Sequence, residues 1–422
     1  MINDAPLARF EPLGTALLKP IYADYSFGNI ANTIEYLLTG ERFGPLLPED
    51  CFGGAYPRPE KIVLFFIDAF GWQSWQRYRE RIPPLGRVAA DGVLTPISAL
   101  FPSTTSASVS TINLGVLPAV HALYEWNIYI PAYGEVIQPL PFTPLGSHVP
   151  EACAAKGYDP AALLAVSETV HERLARHGVR SIQFTPRAHA KSSYNRFVSK
   201  GAELVPHGTL AEAMLQLRQA VESVDGRACF GFYWPSIDTI AHQYGPYSDF
   251  HAAESMAFWA AFETILGGMN GRDTLYLFTA DHDQIAARWD QTIYINERLP
   301  ALADILPVSP AGYPIYPNGS PRDLFLHVKP ERRDDTLGRL RAAFGEIAEI
   351  MSIDEALAHG LFGPLPVSAE LRRRLGDILI LPHDGHFISW REPGIMENRF
   401  NGHHGGLAAS ELISVFGVTE RL

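Results

Sequence analysis

At 422 residues, with 47% hydrophobic and 19% charged side chains, the chain has a folded globular composition, and its length suits one large α/β domain with an inserted lobe or two domains. Its 34 Lys and Arg against 46 Asp and Glu leave a formal net charge of −12, which argues against a general polyanion-binding surface. No nucleic-acid polymer is therefore expected as a partner, and any phosphate must be held locally, by metals or by a small cationic site. Cys51, Cys153 and Cys229 lie far apart and fit neither a CxxC metal pattern nor a disulfide framework. The N-terminus lacks a secretory apolar core and no run is apolar enough to span a bilayer, so the expectation is a cytoplasmic protein with buried reduced thiols and no membrane contact.

Residues 1–60 read as an accessory start: a short helix over Asn29–Leu38 closed by Gly40, then Pro- and Gly-rich turns. From Lys61 the texture becomes strand, helix, strand (IVLFFI, QSWQRYRERI, GVLTPISAL), and this alternation predicts a mainly parallel sheet with helices on both faces. The first of these strands ends on a single carboxylate, Asp68, where open α/β sheets keep their ligand sites. Asp68 is read as a metal ligand, against the plainer account that it caps a helix starting near Phe70. Phe101–Gly115 (FPSTTSASVSTINLG) then reads as a turn into a helix. A Thr or Ser at that helix start is either an N-cap or a nucleophile whose alkoxide and phosphoryl target are stabilised by the helix N-terminus.

The aromatic segment His121–Phe142 supplies core or lid residues, with Tyr124, Trp126 and Tyr129 as candidate walls of a substrate pocket. Beyond it come an amphipathic helix over Pro160–Gly178, a strand over Val179–Thr185, a polar loop over Pro186–Phe197 and a helix over Gly208–Val224. Arg187, His189 and Lys191 in the loop are solvated charge or a phosphate-side contact. Strand Ala228–Trp234 leads into Asp238 and His242, whose i, i+4 spacing projects both from one face of a helical turn, so they can bind one ion. Strand Thr274–Thr279 ends directly in Ala280-Asp281-His282-Asp283. From Gln284 to about Glu397 loops and charged helices suggest an inserted cap, in which Arg372–Arg374 read as solvated surface and His383 and His386 as structural. Asn398–Gly406 (NRFNGHHGG) then supplies His403 and His404 ahead of glycines that let backbone approach a ligand. The expected division is an accessory segment, 1–60; a metal-binding α/β core, 61–284 and 398–422; and a cap lobe, 285–397.

Five segments in this order, FFIDAFG, TSASVSTINLG, DTIAHQYGP, TADH and HGG, resemble the alkaline phosphatase superfamily, and within it the type I phosphodiesterase/nucleotide pyrophosphatase branch. The resemblance runs from about Lys61 to the C-terminus. It implies an α/β, alkaline-phosphatase-like three-layer sandwich with a mainly parallel central sheet and an inserted α+β cap lobe. It also implies two divalent metal ions, Zn²⁺ by ligand type with Mn²⁺ as the alternative, held by Asp238, His242 and His404 on one side and by Asp68, Asp281 and His282 on the other. Thr105 would bridge toward the second ion as nucleophile; it is chosen over Thr104 by its ten-residue spacing to Gly115, and His404 over His403 because it directly precedes Gly405. Ser106, Ser108 and Trp126 are the candidate substrate contacts. Ser108 stands where the diesterase branch usually carries Asn, and neither the phosphate-gripping Arg nor the third-site acid of the monoesterase branch has a match.

The implied activity is hydrolysis of phosphodiester or pyrophosphate bonds in a small molecule such as a nucleotide, through a phosphothreonine. Ions roughly 3.5–4 Å apart would stabilise the attacking and leaving oxygens of the in-line displacement. Hydrolysis of phosphomonoesters or phosphonates is the alternative within the superfamily, and a non-catalytic metal-binding protein that kept the fold is the alternative outside it. Oligomeric state carries no signal in the sequence.

Overall fold

Seven strands build the central sheet of the computed structural model, which describes residues 1–269, 273–302 and 304–422. They are β1 (Lys61–Ile67), β2 (Val93–Ser98), β3 (Arg180–Pro186), β4 (Glu203–His207), β5 (Ala228–Trp234), β6 (Thr274–Thr279) and β7 (Ile413–Thr419), in the spatial order β2-β7-β6-β1-β5-β3-β4. From β6 to β4 every neighbour is parallel, whereas β7 runs antiparallel to both β6 and β2.

Because a strand sends successive side chains to opposite faces, a strand covered on both sides reads as one apolar run but feeds two cores. In β1, Val63, Phe65 and Ile67 pack with Trp75, Leu85, Met214 and Phe262. Ile62, Leu64 and Phe66 pack on the other face with Ile30, Ile34, Ala107 and Leu174. Helix Ile30–Thr39, in the N-terminal segment, is thus part of the layer covering the sheet, and a buried ion pair from Arg173 to Glu35 (2.7 Å) fastens it to helix Val170–Arg176. These layers form the three-layer α/β sandwich.

Within residues 285–397, strands Asn318–Ser320, Asp323–Leu326, Ile378–Pro382 and Ala348–Ser352 form a four-stranded antiparallel sheet in that order. Its Phe325, Leu379 and Leu381 share one apolar cluster with Phe101, Tyr124 and Phe142.

Several elements differ from expectation. The helix expected over Pro160–Gly178 is two pieces: a 3₁₀ turn, Pro160–Leu163, and a helix, Val170–Arg176, which starts afresh at a capping box between Thr169 and Glu172. The loop Pro186–Phe197 holds a short helix, Ser193–Val198, and the charged helix beginning at Arg333 stops at Phe344, leaving Ala348–Ser352 as a strand. An 18-residue helix, Asp249–Leu266, had no counterpart in the expected elements; its Phe258, Trp259 and Phe262 bury against the β1 core.

Candidate active site

Parallel register sets the site. β5 and β6 lie on either side of β1, with Trp234 opposite Ile67 and Thr279 opposite Phe66, so the three strands finish at one edge. The residues that follow, Asp68, Asp238 on helix Ser236–Tyr244, and Asp281-His282, therefore meet over the middle of the sheet. Helix Thr105–Leu114 points its first turn at the same place. Thr104 is its N-cap: the hydroxyl accepts from the Ala107 N–H (3.4 Å) and donates to the Tyr124 carbonyl (2.9 Å). The Thr105 hydroxyl donates instead to Asp68 Oδ2 (3.4 Å). The two roles open to a hydroxyl at this helix start thus fall on adjacent residues.

Each imidazole is oriented by a main-chain carbonyl. His242 Nδ1 lies 2.7 Å from the Gly402 carbonyl, His404 Nδ1 2.8 Å from that of Ser103, and His282 Nδ1 3.1 Å from that of Asp283. A carbonyl only accepts, so each Nδ1 carries the proton and each Nε2 presents a lone pair to the site. Those lone pairs converge on one another and on carboxylates. His242 Nε2 and His404 Nε2 are 3.2 Å apart, with Asp238 at 3.4 and 3.8 Å from them. His282 Nε2 lies 3.1 Å from Asp281 Oδ2 and 3.7 Å from Asp68 Oδ1. Asp68 Oδ1, Asp281 Oδ2 and His282 Nε2 are buried without a hydrogen-bond partner.

Acceptors facing acceptors in a buried site call for cations, and an all-oxygen-and-nitrogen donor set fits divalent ions of the Zn²⁺ or Mn²⁺ kind. Two groups of ligand atoms lie within 4.8 Å of one another, Asp238 with His242 and His404, and Asp68 with Asp238 and His282, so Asp238 belongs to both. Asp281 is in neither group, although it borders His282. Burial, then the Asp281 and Asp238 carboxylates, pushes Asp68 well above the carboxylate range. Burial and the neighbouring imidazoles push His404 well down, keeping Nε2 bare at neutral pH. At His282 burial opposes a positive charge, but the Asp281 carboxylate outweighs it, so this Nε2 would offer its lone pair only where a cation takes the place of a proton.

The family model for type I phosphodiesterase/nucleotide pyrophosphatase matches residues 62–407, most of the chain. The chain belongs to that family. Family membership makes it a phosphoester hydrolase of the alkaline phosphatase superfamily, whose chemistry is metal-dependent. Among solved structures it is similar to murine ectonucleotide pyrophosphatase/phosphodiesterase 5, with a TM-score of 0.62 at 14% identity, covering 85% of this chain and 88% of that one. An inactive form of the same murine protein, in complex with AMP, gives a TM-score of 0.60 at 14% identity over 85% and 87% of the two chains. Phosphonoacetate hydrolase from Sinorhizobium meliloti, in complex with phosphonoacetate, gives 0.58 at 18% identity over 88% and 92%. A search of curated proteins finds no match. No helix among the described residues is long and apolar enough to cross a membrane.

Two residues that sequence reasoning missed brace this cluster of carboxylates and imidazoles. The Tyr233 hydroxyl donates to Asp68 Oδ2 at 2.6 Å, from the penultimate residue of β5. Asp283, one residue beyond the Asp-His pair, accepts from the N–H groups of Gly71 (3.1 Å), Gln73 (2.7 Å) and Ser74 (3.3 Å) and from the Ser74 hydroxyl (2.6 Å). Helix Trp72–Tyr78 is therefore capped by Asp283, not by Asp68. Ala69, between Asp68 and that helix, sits at φ 56°, a left-handed conformation that aims its N–H at Asp281 Oδ1 (3.3 Å).

The other candidates separate cleanly. Ser106 and Ser108 are fully buried and their hydroxyls have no protein partner, whereas Trp126 is 42% exposed. Tyr124 and Tyr129 are buried, and the Tyr124 hydroxyl donates to the Arg374 carbonyl (2.9 Å). His403 spends Nε2 on Asn398 (2.8 Å) and packs its ring 5.3 Å from that of His242. Arg187 pairs with Glu212 (3.0 Å), and the His383 and His386 carbonyls accept from Arg322. Phe400, exposed, sets its ring 5.1 Å from that of His242, an aromatic neighbour of the site that the sequence pattern did not single out.

Proposed function

We propose that the chain hydrolyses phosphodiester or pyrophosphate bonds in a small molecule such as a nucleotide, through a covalent phosphothreonine on Thr105. The observation that carries this reading is the Thr105 hydroxyl, at a helix N-terminus and within reach of Asp68, beside the convergent carboxylates and imidazoles. We assign Asp238, His242 and His404 to one divalent ion and Asp68, Asp281 and His282, with Thr105, to a second. When bound, such ions supply the Lewis acidity that lowers the pKa of a hydroxyl and neutralises charge on attacking and leaving oxygens.

The remaining work falls to the chain. Asp68 orients the Thr105 hydroxyl, and Tyr233 holds Asp68. With the Ala107 N–H capped by the Thr104 hydroxyl and that of Ser108 bonded to the Thr104 carbonyl, the N–H groups of Thr105 and Ser106 are the ones that the helix start, with the positive end of its dipole, offers to phosphoryl oxygens. Ser106 and Ser108 supply unpaired hydroxyls in that first turn, and Trp126 gives an exposed ring for the rest of the substrate. We assign substrate choice to residues 285–397 as a cap over a core of 61–284 and 398–422, with 1–60 as accessory. The three cysteines, all free and buried, suit a reducing compartment, and we place the protein in the cytoplasm.

Phosphonate hydrolysis is the second reading. It is favoured by the structural likeness to an enzyme crystallised with phosphonoacetate. Thr105→Ala should abolish turnover of bis-p-nitrophenyl phosphate while leaving bound metal nearly unchanged; retained turnover would sink the covalent mechanism. Ranking kcat/KM for bis-p-nitrophenyl phosphate, p-nitrophenyl phosphate and phosphonoacetate separates the readings, and equal or better use of either of the last two overturns the preference for diesters.

A further inference from the structure

Two buried carboxyl groups beside the site have no role in the ligand set. Glu125 and Asp323 are both fully buried. Glu125 precedes the exposed Trp126 and accepts that residue's N–H on Oε2, leaving Oε1 without a donor. Asp323 opens strand Asp323–Leu326; its Oδ1 accepts from the Ser320 hydroxyl (2.6 Å) and N–H (3.2 Å), leaving Oδ2 without a donor. The turn carrying Glu125 is laced to the hairpin carrying Asp323, because Asn127 accepts the Gly319 N–H on its carbonyl (2.9 Å) and donates its side-chain amide to the Gly319 carbonyl (3.1 Å), which sets the two carboxyl groups close enough to act on each other. An ionised carboxylate only accepts, so a bond between the two would need one of them to carry a proton, and that one proton would satisfy both orphaned oxygens.

Both ends of the pair lead to the site. The Tyr124 carbonyl, next to Glu125, accepts from Thr104, next to Thr105. The Ser320 hydroxyl that serves Asp323 also lies 3.0 Å from the His404 carbonyl. Gly405 follows at φ +124°, and a Cβ there would fall 2.5 Å from Asp323 Oδ1, so this glycine is needed for the approach. The charged groups around the pair leave it no counter-ion. Glu411 faces Asp323 but is neutralised by Arg322 (2.7 Å), and the His282 imidazole acts on Glu125 through space without a hydrogen bond to it. Burial raises both carboxyls, Glu125 to about 7 and Asp323 well above its ordinary value.

We propose that Glu125 and Asp323 share one proton, donated by Asp323 to Glu125, and that this acid pair is a positioning device that locks the turn carrying Trp126 to the loop carrying His404. The inference rests on the hydrolase reading only for its kinetic arm.

Infrared difference spectra of the metal-loaded protein, parent minus Asp323→Asn at neutral pH, should contain the carbonyl stretch of a protonated buried carboxyl. An amide can donate the same bond to Glu125, so Asp323→Asn should keep KM for bis-p-nitrophenyl phosphate within about threefold. Asp323→Ala and Glu125→Ala should raise KM by roughly tenfold with a smaller effect on kcat, the size expected for one buried hydrogen bond. Absence of the carboxyl band overturns the proposal, as does an Asp323→Asn variant as impaired as Asp323→Ala. Loss of a metal equivalent in Asp323→Asn would do the same, because the pair would then be holding a cation. Should Asp323→Ala fail to fold, the spectra of the parent and Asp323→Asn still decide. Should the parent turn over no diester, the hydrolase reading fails while the infrared test of the shared proton stands.

Discussion

Asp68 shows how the role of a carboxylate follows from what occupies each of its oxygens. Oδ2 takes hydrogen bonds from Tyr233 and Thr105, which fixes the plane of the carboxylate and leaves Oδ1 bare toward His282. Tyr233→Phe removes the shorter of the two bonds without changing shape. Partners that orient a ligand typically contribute 10–100-fold in metal affinity, so the variant should bind Zn²⁺ about that much more weakly in competition with a chromophoric chelator, and excess metal should restore turnover. Unchanged affinity would show that Asp68 is held without Tyr233. Asp238 poses a different case, because its carboxylate reaches both ligand groups. Asp238→Ala should therefore lower the metal content by more than His242→Ala does, measured as metal per chain by elemental analysis; equal losses would mean that Asp238 serves a single ion.

At the scale of elements, Asp283 ties the end of β6 to the start of helix Trp72–Tyr78, some 210 residues away in sequence. Asp283→Ala strands the N–H groups of Gly71, Gln73 and Ser74, and should cost about 1–3 kcal/mol in urea unfolding. A smaller loss would mean that water replaces the cap. This contact also marks where the sequence stopped being legible. Strand ends carrying Asp68, Asp238 and Asp281-His282 could be read because each strand is a continuous apolar run and its last residue changes character abruptly. The cap could not, because nothing near Gly71 names a partner so distant. The carbonyls of Gly402, Ser103 and Asp283 that orient the imidazoles have no side-chain signature at all. Helix Val170–Arg176 was merged with the turn before it because Pro160 and Thr169 are both start signals within one window. Helix Asp249–Leu266 escaped for the opposite reason: alanines and aromatics are spread around it, so no polar stripe sets off the face that it buries.

Across the whole molecule, neutral histidines sit in the seams between layers. His171 Nε2 meets Asn113 between two helices (2.8 Å), the Tyr78 hydroxyl meets His251 between two others (3.1 Å), and His327 joins Asn318 to the Arg374 carbonyl (3.2 Å to each). Burial holds His121 down to about 3 and His171, His251 and His327 to about 4, and lowers His207 as well. A histidine depressed in this way stabilises the fold above its unfolded pKa near 6.5, and that stability is lost as the pH falls toward the folded value, because only the unfolded chain takes up the proton. Glu35, Glu125, Asp283 and Asp323, raised chiefly by burial, act in the opposite direction and bind protons in the folded state first. His189, His403 and His404 are lowered as well and Asp68 is raised, so lowered histidines outnumber raised carboxyls eight to five and the parent should lose stability as the pH falls from 6.5 to 5. The individual contributions emerge when one member is removed. His327→Gln cannot take up a proton in the unfolded state, so its stability should fall less on acidification than that of the parent, by about 1.4 kcal/mol per pH unit across that window. Urea midpoints at pH 7, 6 and 5 for the two proteins measure the difference. Coincident slopes would mean that His327 is already charged inside the fold, and that the seam between Asn318 and Arg374 is built around a cation.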